Sequence, residues 1–150
     1  MTELKVSQTR RYSKIYSLGA SRGSLAVTND EIAGPIDSSD EWIRQRTGVI
    51  TRARATQDQT LQSMSIEAAK EAIEKAGITP EQIDLVIVST ISFPYATPSA
   101  ATLIAGELGI PNAAAYDISA ACAGYCYGIA QADSMIRSGL SEYALVIGAE

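Results

Sequence analysis

The sequence predicts an α/β layered fold. Apolar, strand-like runs alternate with amphipathic helices along most of the chain. One of these runs, Asp84-Leu-Val-Ile-Val-Ser-Thr-Ile91, is too uniformly apolar to have a wet face, so it belongs in the middle of a sheet covered on both sides. The third observation is punctuation: cap residues open the helical stretches and glycines close them.

In chain order, residues 1–12 are polar and aperiodic and read as a flexible tail. Lys14 to Ser21 reads as the first strand. Thr28-Asn29-Asp30-Glu31 is a cap followed by a short helix, and Ser38-Ser39-Asp40-Glu41 has capping-box spacing before Trp42 and Ile43, with Gly48 as the stop. The clearest helix runs from about Thr60 to Ala76. Leu61, Met64, Ala68, Ala72 and Ala76 form its apolar face, Glu71 and Lys75 pair outside, and Gly77 ends it. Thr79-Pro80-Glu81-Gln82 caps a turn, and Pro98 opens a helix that closes near Gly109. Ala113 to Ser119 fits a buried strand. Tyr125, Ile129, Ala132 and Ile136 recur at helical spacing after it, and Tyr143 to Glu150 reads as another buried strand. No repeat or linker interrupts residues 13–150, so one compact unit is expected. Because domains seldom end on the edge of a central strand, the chain reads as the front part of something larger.

Composition places the chain among soluble globular proteins, with 46% hydrophobic and 19% charged residues and apolar runs too short to span a bilayer. A net charge of -5 argues against general nucleic-acid binding. The two cysteines give no disulfide framework, and no secretory leader is visible, so a reducing cytoplasm is the expected setting. The chain has 0 His, and a C-x3-C pair offers two ligands where zinc takes four, so no metal site is expected. Gly19-Ala20-Ser21-Arg22-Gly23 lacks the middle glycine of a dinucleotide fingerprint, and no Gly-Lys-Ser/Thr phosphate loop occurs.

Two constellations carry chemistry. In Ala120-Ala121-Cys122-Ala123-Gly124 a thiol sits among small side chains where a strand hands over to a helix. Helix N-terminal N–H groups favour an anion, and thiolate is the form that attacks carbonyls, so Cys122 is a candidate nucleophile; the competing reading is a small buried hydrophobe. Cys126, one turn further on between Tyr125 and Tyr127, reads as core filler. The second constellation is Arg44, Arg46, Arg52 and Arg54, within a stretch from Trp42 to Gln57 that holds no acid. Trp42 and Arg46 share a helix face and suit an aromatic ring with a phosphate. A solvated face neutralised by Asp37, Asp40 and Glu41 is the plainer alternative.

The segments Asp37-Ser-Ser-Asp-Glu-Trp-Ile-Arg-Gln-Arg-Thr-Gly48 and Ser119-Ala-Ala-Cys-Ala-Gly-Tyr125 together closely resemble β-ketoacyl-acyl-carrier-protein synthase III, the initiating condensing enzyme of type II fatty-acid synthesis. The resemblance runs from about Lys14 to Glu150. It implies half of a thiolase-like αβαβα sandwich, with Cys122 on a central helix whose small-residue face lies open without the second half. It further implies that Cys122 takes an acyl group from acyl-CoA and passes it to the carbanion formed by decarboxylation of malonyl-acyl-carrier protein. The Cys122 N–H would contribute to an oxyanion hole. Trp42 and Arg46 would hold the CoA adenine end, with Ser38 a nearby contact. Thr97 would reach the partner subunit's acyl pocket in a homodimer, where its small size leaves room for starters longer than acetyl, branched ones included. No cofactor is implied beyond acyl-CoA as substrate, and neither nucleic acid nor membrane is a partner. The His and Asn that steady the carbanion lie in the family's second half, so these residues alone are expected to be inactive in condensation and poorly soluble. Two alternatives share the same residues: a CoA-dependent polyketide or quinolone-type condensing enzyme, and a non-catalytic CoA- or carrier-binding module.

Overall fold

The computed structural model describes residues 12–150, so the tail expected over residues 1–12 lies, but for Tyr12, outside the described residues. Instead of one unit there are two: residues 12–20 with Leu61–Glu150, and Ser21–Thr60.

The larger unit is built on a parallel sheet. Strand β3 (Leu85–Ser89) lies between β4 (Ala114–Ile118) and β5 (Ala144–Gly148), with Ile87 opposite both Tyr116 and Val146. All of β3 is buried, as a run apolar on both faces requires. Alternation divides its side chains between two layers. Val86 and Val88 pack with Ile66, Ala69 and Ile73 of helix α3 (Leu61–Ala76) and with Ala100, Ala101 and Ile104 of α4 (Ala100–Glu107). Leu85 and Ile87 pack on the other side against Ala132 of α5 (Gly124–Ser138). β4 and β5 flank the sheet and are only partly buried, where the sequence suggested fully buried strands.

The smaller unit is an antiparallel pair, β1 (Leu25–Thr28) and β2 (Thr51–Arg54), with helices α1 (Asn29–Ala33) and α2 (Asp40–Thr47) between them in the chain. Val27, Ala33 and Ile43 are its buried apolar residues. Thr28 is the expected cap residue of α1, its N–H and Oγ1 both donating to Glu31 Oε1 at 2.8 Å. On α2 the cap sits one residue later than expected: Ser39, not Ser38, accepts the Trp42 N–H, and Gly48 closes the helix at φ 72°.

Three other expectations are corrected. Residues 14–21 are not a strand. Ser17 Oγ donates to the Ala72 carbonyl and the Ala20 N–H to Glu71 Oε2, so the segment lies along α3 instead of joining a ladder. A Cβ on Gly19 would come 2.0 Å from the Ala68 carbonyl oxygen, an approach only glycine permits. This also explains the second correction: the Ala68/Ala72 face of α3 receives that segment, while Ser65, Ile66, Ala69 and Ile73 face the core. Third, the helix after Pro98 begins at Ala100 with Ser99 as its cap. The Glu71–Lys75 pair is present at 2.7 Å.

Candidate functional site

Because β3, β4 and β5 are parallel, their carboxyl ends share one edge of the sheet, and the segments leaving β3 and β4 begin there. In open α/β sheets that edge is where ligands bind. Thr97 lies, exposed, in the segment joining β3 to α4, and Cys122 in the segment joining β4 to α5.

Cys122 occupies the middle of a single 3₁₀ turn, Ala121–Ala123, immediately before α5 and not inside it. Ala121 has φ 45°, one of two non-glycine residues with positive φ among the described residues, the other being Asp37 at 50°. A left-handed alanine costs about 1–2 kcal/mol, and such strain gathers at functional sites. The turn leaves the Cys122 thiol exposed at the top of the sheet. Both cap residues here, Ala120 and Ala123, make no side-chain cap bond, so neither occupies the helix N-terminal N–H groups. Replacing Ala121 by glycine should raise the melting midpoint: it relieves about 1–2 kcal/mol of strain and adds only about 0.4–1 kcal/mol of unfolded-state entropy. A midpoint below wild type in thermal unfolding would refute that.

The helix that follows reverses two expectations. Its small-residue stripe, Gly124, Gly128 and Ala132, is buried against the sheet and not open. A Cβ on Gly124 would stand 1.9 Å from Ser89 Oγ, and one on Gly128 2.9 Å from Val146 Cγ1. Glycines therefore let α5 sit close to β3 and β5. Since the small face turns inward, Cys126 faces outward and is exposed, and Tyr127 beside it is 56% exposed. Cys126 is not core filler among the described residues. A cavity of about 620 Å³ lies between residues 12–16 and the α5/β5 side chains Ile129, Ile136 and Val146, but neither Cys122 nor Thr97 lines it.

Ser38, Trp42 and Arg46 belong to the smaller unit. Trp42 is 55% exposed, and the Arg46 guanidinium carbon lies 5.6 Å from the centre of its ring. The structure sorts the arginines. Arg44 Nε donates to both Asp40 oxygens, at 2.8 and 2.7 Å. Arg52 donates to Asn29 Oδ1 at 2.6 Å and to the Thr28 carbonyl. Arg46 has no acidic partner among the described residues, which leaves its charge for a ligand. Of the acids expected to neutralise the cluster, Asp40 pairs with Arg44, whereas Glu41 accepts from Gln45. Ser38 Oγ is buried with no hydrogen-bond partner among the described residues.

Asn29, 1% exposed, ties this unit together by donating to Asp40 Oδ1 and the Val49 carbonyl. Hydrogen bonds from Arg44 and then Asn29 hold the Asp40 carboxyl below the ordinary 3.8, and those from Thr28 hold Glu31 below 4.5. Groups with lowered folded-state values stabilise the fold above their unfolded values and stop doing so as pH falls through the lower ones. Acidification below 3.8 should thus lower the melting midpoint, and Asp40→Asn should flatten that dependence; equal acid slopes for variant and wild type in thermal melts would contradict it.

Two site-building residues escaped the sequence reading. Asp117 of β4 accepts the N–H groups of Ala100 and Ala101, both at 2.8 Å, at the start of α4. Glu150 accepts from Ser92 Oγ at 2.8 Å and from the Ile91 N–H. Their spacing carries no local signal, because each reaches a segment distant in sequence. Among the described residues no group of three or more His, Cys, Asp or Glu could hold a metal, and no helix is long and apolar enough to cross a membrane.

Comparison with known proteins gives this arrangement a family. Residues 44–150 match the model of the thiolase N-terminal domain. The chain belongs to this family. As a thiolase N-terminal domain it is 54% identical over 150 residues to β-ketoacyl-[acyl-carrier-protein] synthase III of Kocuria rhizophila, covering 100% of the chain and 42% of the relative. It is 53% identical over 140 residues to the enzyme of that name from Tropheryma whipplei, covering 93% and 44%. Among solved structures, the priming β-ketosynthase from the R1128 polyketide biosynthetic pathway superimposes with a TM-score of 0.90 at 41% identity, over 97% of this chain and 43% of that one. The 3-oxoacyl-[acyl-carrier-protein] synthase III of Aquifex aeolicus does so at 0.86 and 41%, over 91% and 44%. The thiolase N-terminal domain described here thus spans less than half the length of the proteins it matches.

Proposed function

We propose that residues 13–150 are the N-terminal half of a β-ketoacyl-acyl-carrier-protein synthase III, working with a second half of the same sandwich in a cytoplasmic homodimer. The observation that carries this reading is Cys122: an exposed thiol on a strained turn, at the carboxyl edge of a parallel sheet, in a thiolase N-terminal domain whose relatives bear that name.

Cys122 Sγ attacks the thioester carbonyl of acyl-CoA, the oxyanion draws on N–H groups at this turn including that of Cys122, and the CoA thiolate departs. The acyl-cysteine then yields its acyl group to the carbanion left when malonyl-acyl-carrier protein loses carbon dioxide, and the thiolate is released. The chain holds 0 His, so an imidazole for the carbanion comes from outside these residues. Acyl-CoA is the substrate, and the reading requires no cofactor.

Trp42, Arg46 and Ser38 bind the nucleotide end of CoA. Exposed cation–π pairs are worth about 0.5–1 kcal/mol, so the guanidinium can leave the indole to pair with a phosphate while the ring stacks on adenine. Trp42→Ala and Arg46→Ala should each weaken CoA binding about tenfold, given about 1–3 kcal/mol for one base stack; affinity unchanged by calorimetry in both would remove this assignment.

The proposal is tested by incubating the full-length protein with radiolabelled acetyl-CoA and mapping the label. Label on Cys122 supports it; label on Cys126 moves the nucleophile there and overturns the assignment, and no label overturns it and leaves a CoA-binding module. Similarity to a polyketide priming synthase favours one second reading, in which the same acyl-cysteine primes a polyketide carrier. Turnover with malonyl groups on fatty-acid against polyketide carriers separates the two.

A further inference from the structure

We propose that Asp117 and Glu150 are positioning residues that clamp the segment from Ile91 to Ser99 at its two ends and thereby set the chain length of the acyl group accepted at the partner subunit's Cys122. The inference rests on the reading of Cys122 as the acyl acceptor and of Thr97 as reaching across a homodimer into the partner's acyl pocket.

The segment leaves β3, the middle strand, and each carboxylate reaches it from a different flanking strand. At its start, Glu150, two residues beyond the end of β5, accepts from Ser92 Oγ at 2.8 Å and from the Ile91 N–H at 3.2 and 3.3 Å. The Ser92 N–H in turn donates to Thr90 Oγ1 at 3.2 Å, and Thr90 is buried with its N–H on the Ile118 carbonyl at 3.1 Å. At its end, Asp117 of β4 takes the Ala100 and Ala101 N–H groups, one on each oxygen, at 2.8 Å. Both bonds come from backbone N–H groups at the start of a helix, where an acidic side chain fits well. Thr97 lies between the two clamps, exposed, in the same segment as the edge-to-face pair Phe93 and Tyr95 with ring centres 5.6 Å apart.

Asp117 also stands five positions before Cys122 on the strand that delivers it. One carboxylate thus joins the strand that delivers the nucleophile to the segment bearing Thr97. With both ends fixed, the segment has little freedom to yield to a longer acyl chain. With one end released it can move outward. A hydrophobic pocket discriminates by roughly tenfold or more per methylene only while its wall stays in place.

The test compares kcat/KM for acetyl-CoA and hexanoyl-CoA in the full-length wild type and in Glu150→Ala, Asp117→Asn and Ser92→Ala. Glu150→Ala and Asp117→Asn should move the ratio toward hexanoyl-CoA by about fivefold or more, since each removes part of the wall's restraint. Ser92→Ala, which removes only one of the bonds that Glu150 accepts, should move it less but in the same direction. Restoring a carboxylate with Glu150→Asp should return part of the preference, a recovery that a loss of general stability would not give. A ratio within about twofold of wild type in those of the three that fold overturns the clamp; Ser92→Ala decides if the other two do not fold. Wild type that acquires no acyl group at Cys122 defeats the underlying reading and this inference with it, whereas acylated variants with unaltered preference defeat the clamp alone.

Discussion

Cys122→Ser in the full-length protein is expected to reduce acyl-enzyme formation to background, a loss of at least about 10³-fold by comparison with other nucleophile deletions. Serine keeps the size and the turn, so the change removes the sulfur and little else. At neutral pH a serine hydroxyl is far less ionised than a thiol and is a much weaker nucleophile toward a thioester unless a general base activates it. CoA affinity should stay within about twofold of wild type, because an exposed thiol contributes little uniform binding. Cys126→Ser serves as the internal control. It alters a thiol one turn further on, exposed on the outer face of α5, with a glycine stripe between that face and the sheet. Stoichiometric acylation persisting in Cys122→Ser, or disappearing in Cys126→Ser, would move the chemistry away from Cys122.

Local signals carried most of the fold. The 84–91 run announces a central strand by being apolar throughout, and β3 is the middle strand with every residue buried. Thr28, Gly48, Thr79 and Gly77 mark helix and turn ends through bonds that span only a few residues, so a linear sequence displays them. What failed needed distant partners. Lys14 to Ser21 has strand composition, but whether a strand forms depends on a free neighbouring edge, and the segment instead binds the α3 backbone and Glu71. The face of α3 was misjudged for the same reason. Alanines at 68 and 72 look like a core stripe, and only the proximity of Gly19 shows that they receive a chain segment.

The candidate site divides along the same line. Cys122, Trp42 and Arg46 stand out as candidates in the sequence because a thiol at a strand-to-helix junction and an aromatic–arginine pair at i,i+4 are local patterns. The strain at Ala121 was not, since alanine usually signals the opposite of a left-handed backbone. Asp117 and Glu150 were missed because a carboxylate in a strand gives no hint of the N–H groups it will meet. Cys126 was misplaced because the helical period was anchored on Tyr125, whereas the buried stripe begins on Gly124, one residue and about 100° away.

That stripe bears the second large effect. Gly124→Ala should destabilise the larger unit by about 1–3 kcal/mol, the range for inserting a methyl group into a filled site. The new Cβ would stand 1.9 Å from Ser89 Oγ and 3.1 Å from Ser89 Cβ, and Ser89 is 4% exposed at the carboxyl end of the central strand. Rotating the hydroxyl away removes the first clash and leaves the second, so either β3 or the start of α5 must shift. Alanine's higher helix propensity, worth about 1 kcal/mol in a helix interior, recovers little at position 124, the first residue of α5. A shift of α5 carries the turn with it, because the Gly124 N–H is bonded to the Ala121 carbonyl and Cys122 lies between them. Acylation should therefore slow even where the variant remains folded. Ser89→Ala in the same chain deletes the oxygen at 1.9 Å and should restore part of both stability and rate, with a coupling of about 0.5–3 kcal/mol, as touching residues show. If the two changes instead add independently in melting and acylation measurements, the close approach of α5 to β3 is not what holds Cys122 in place.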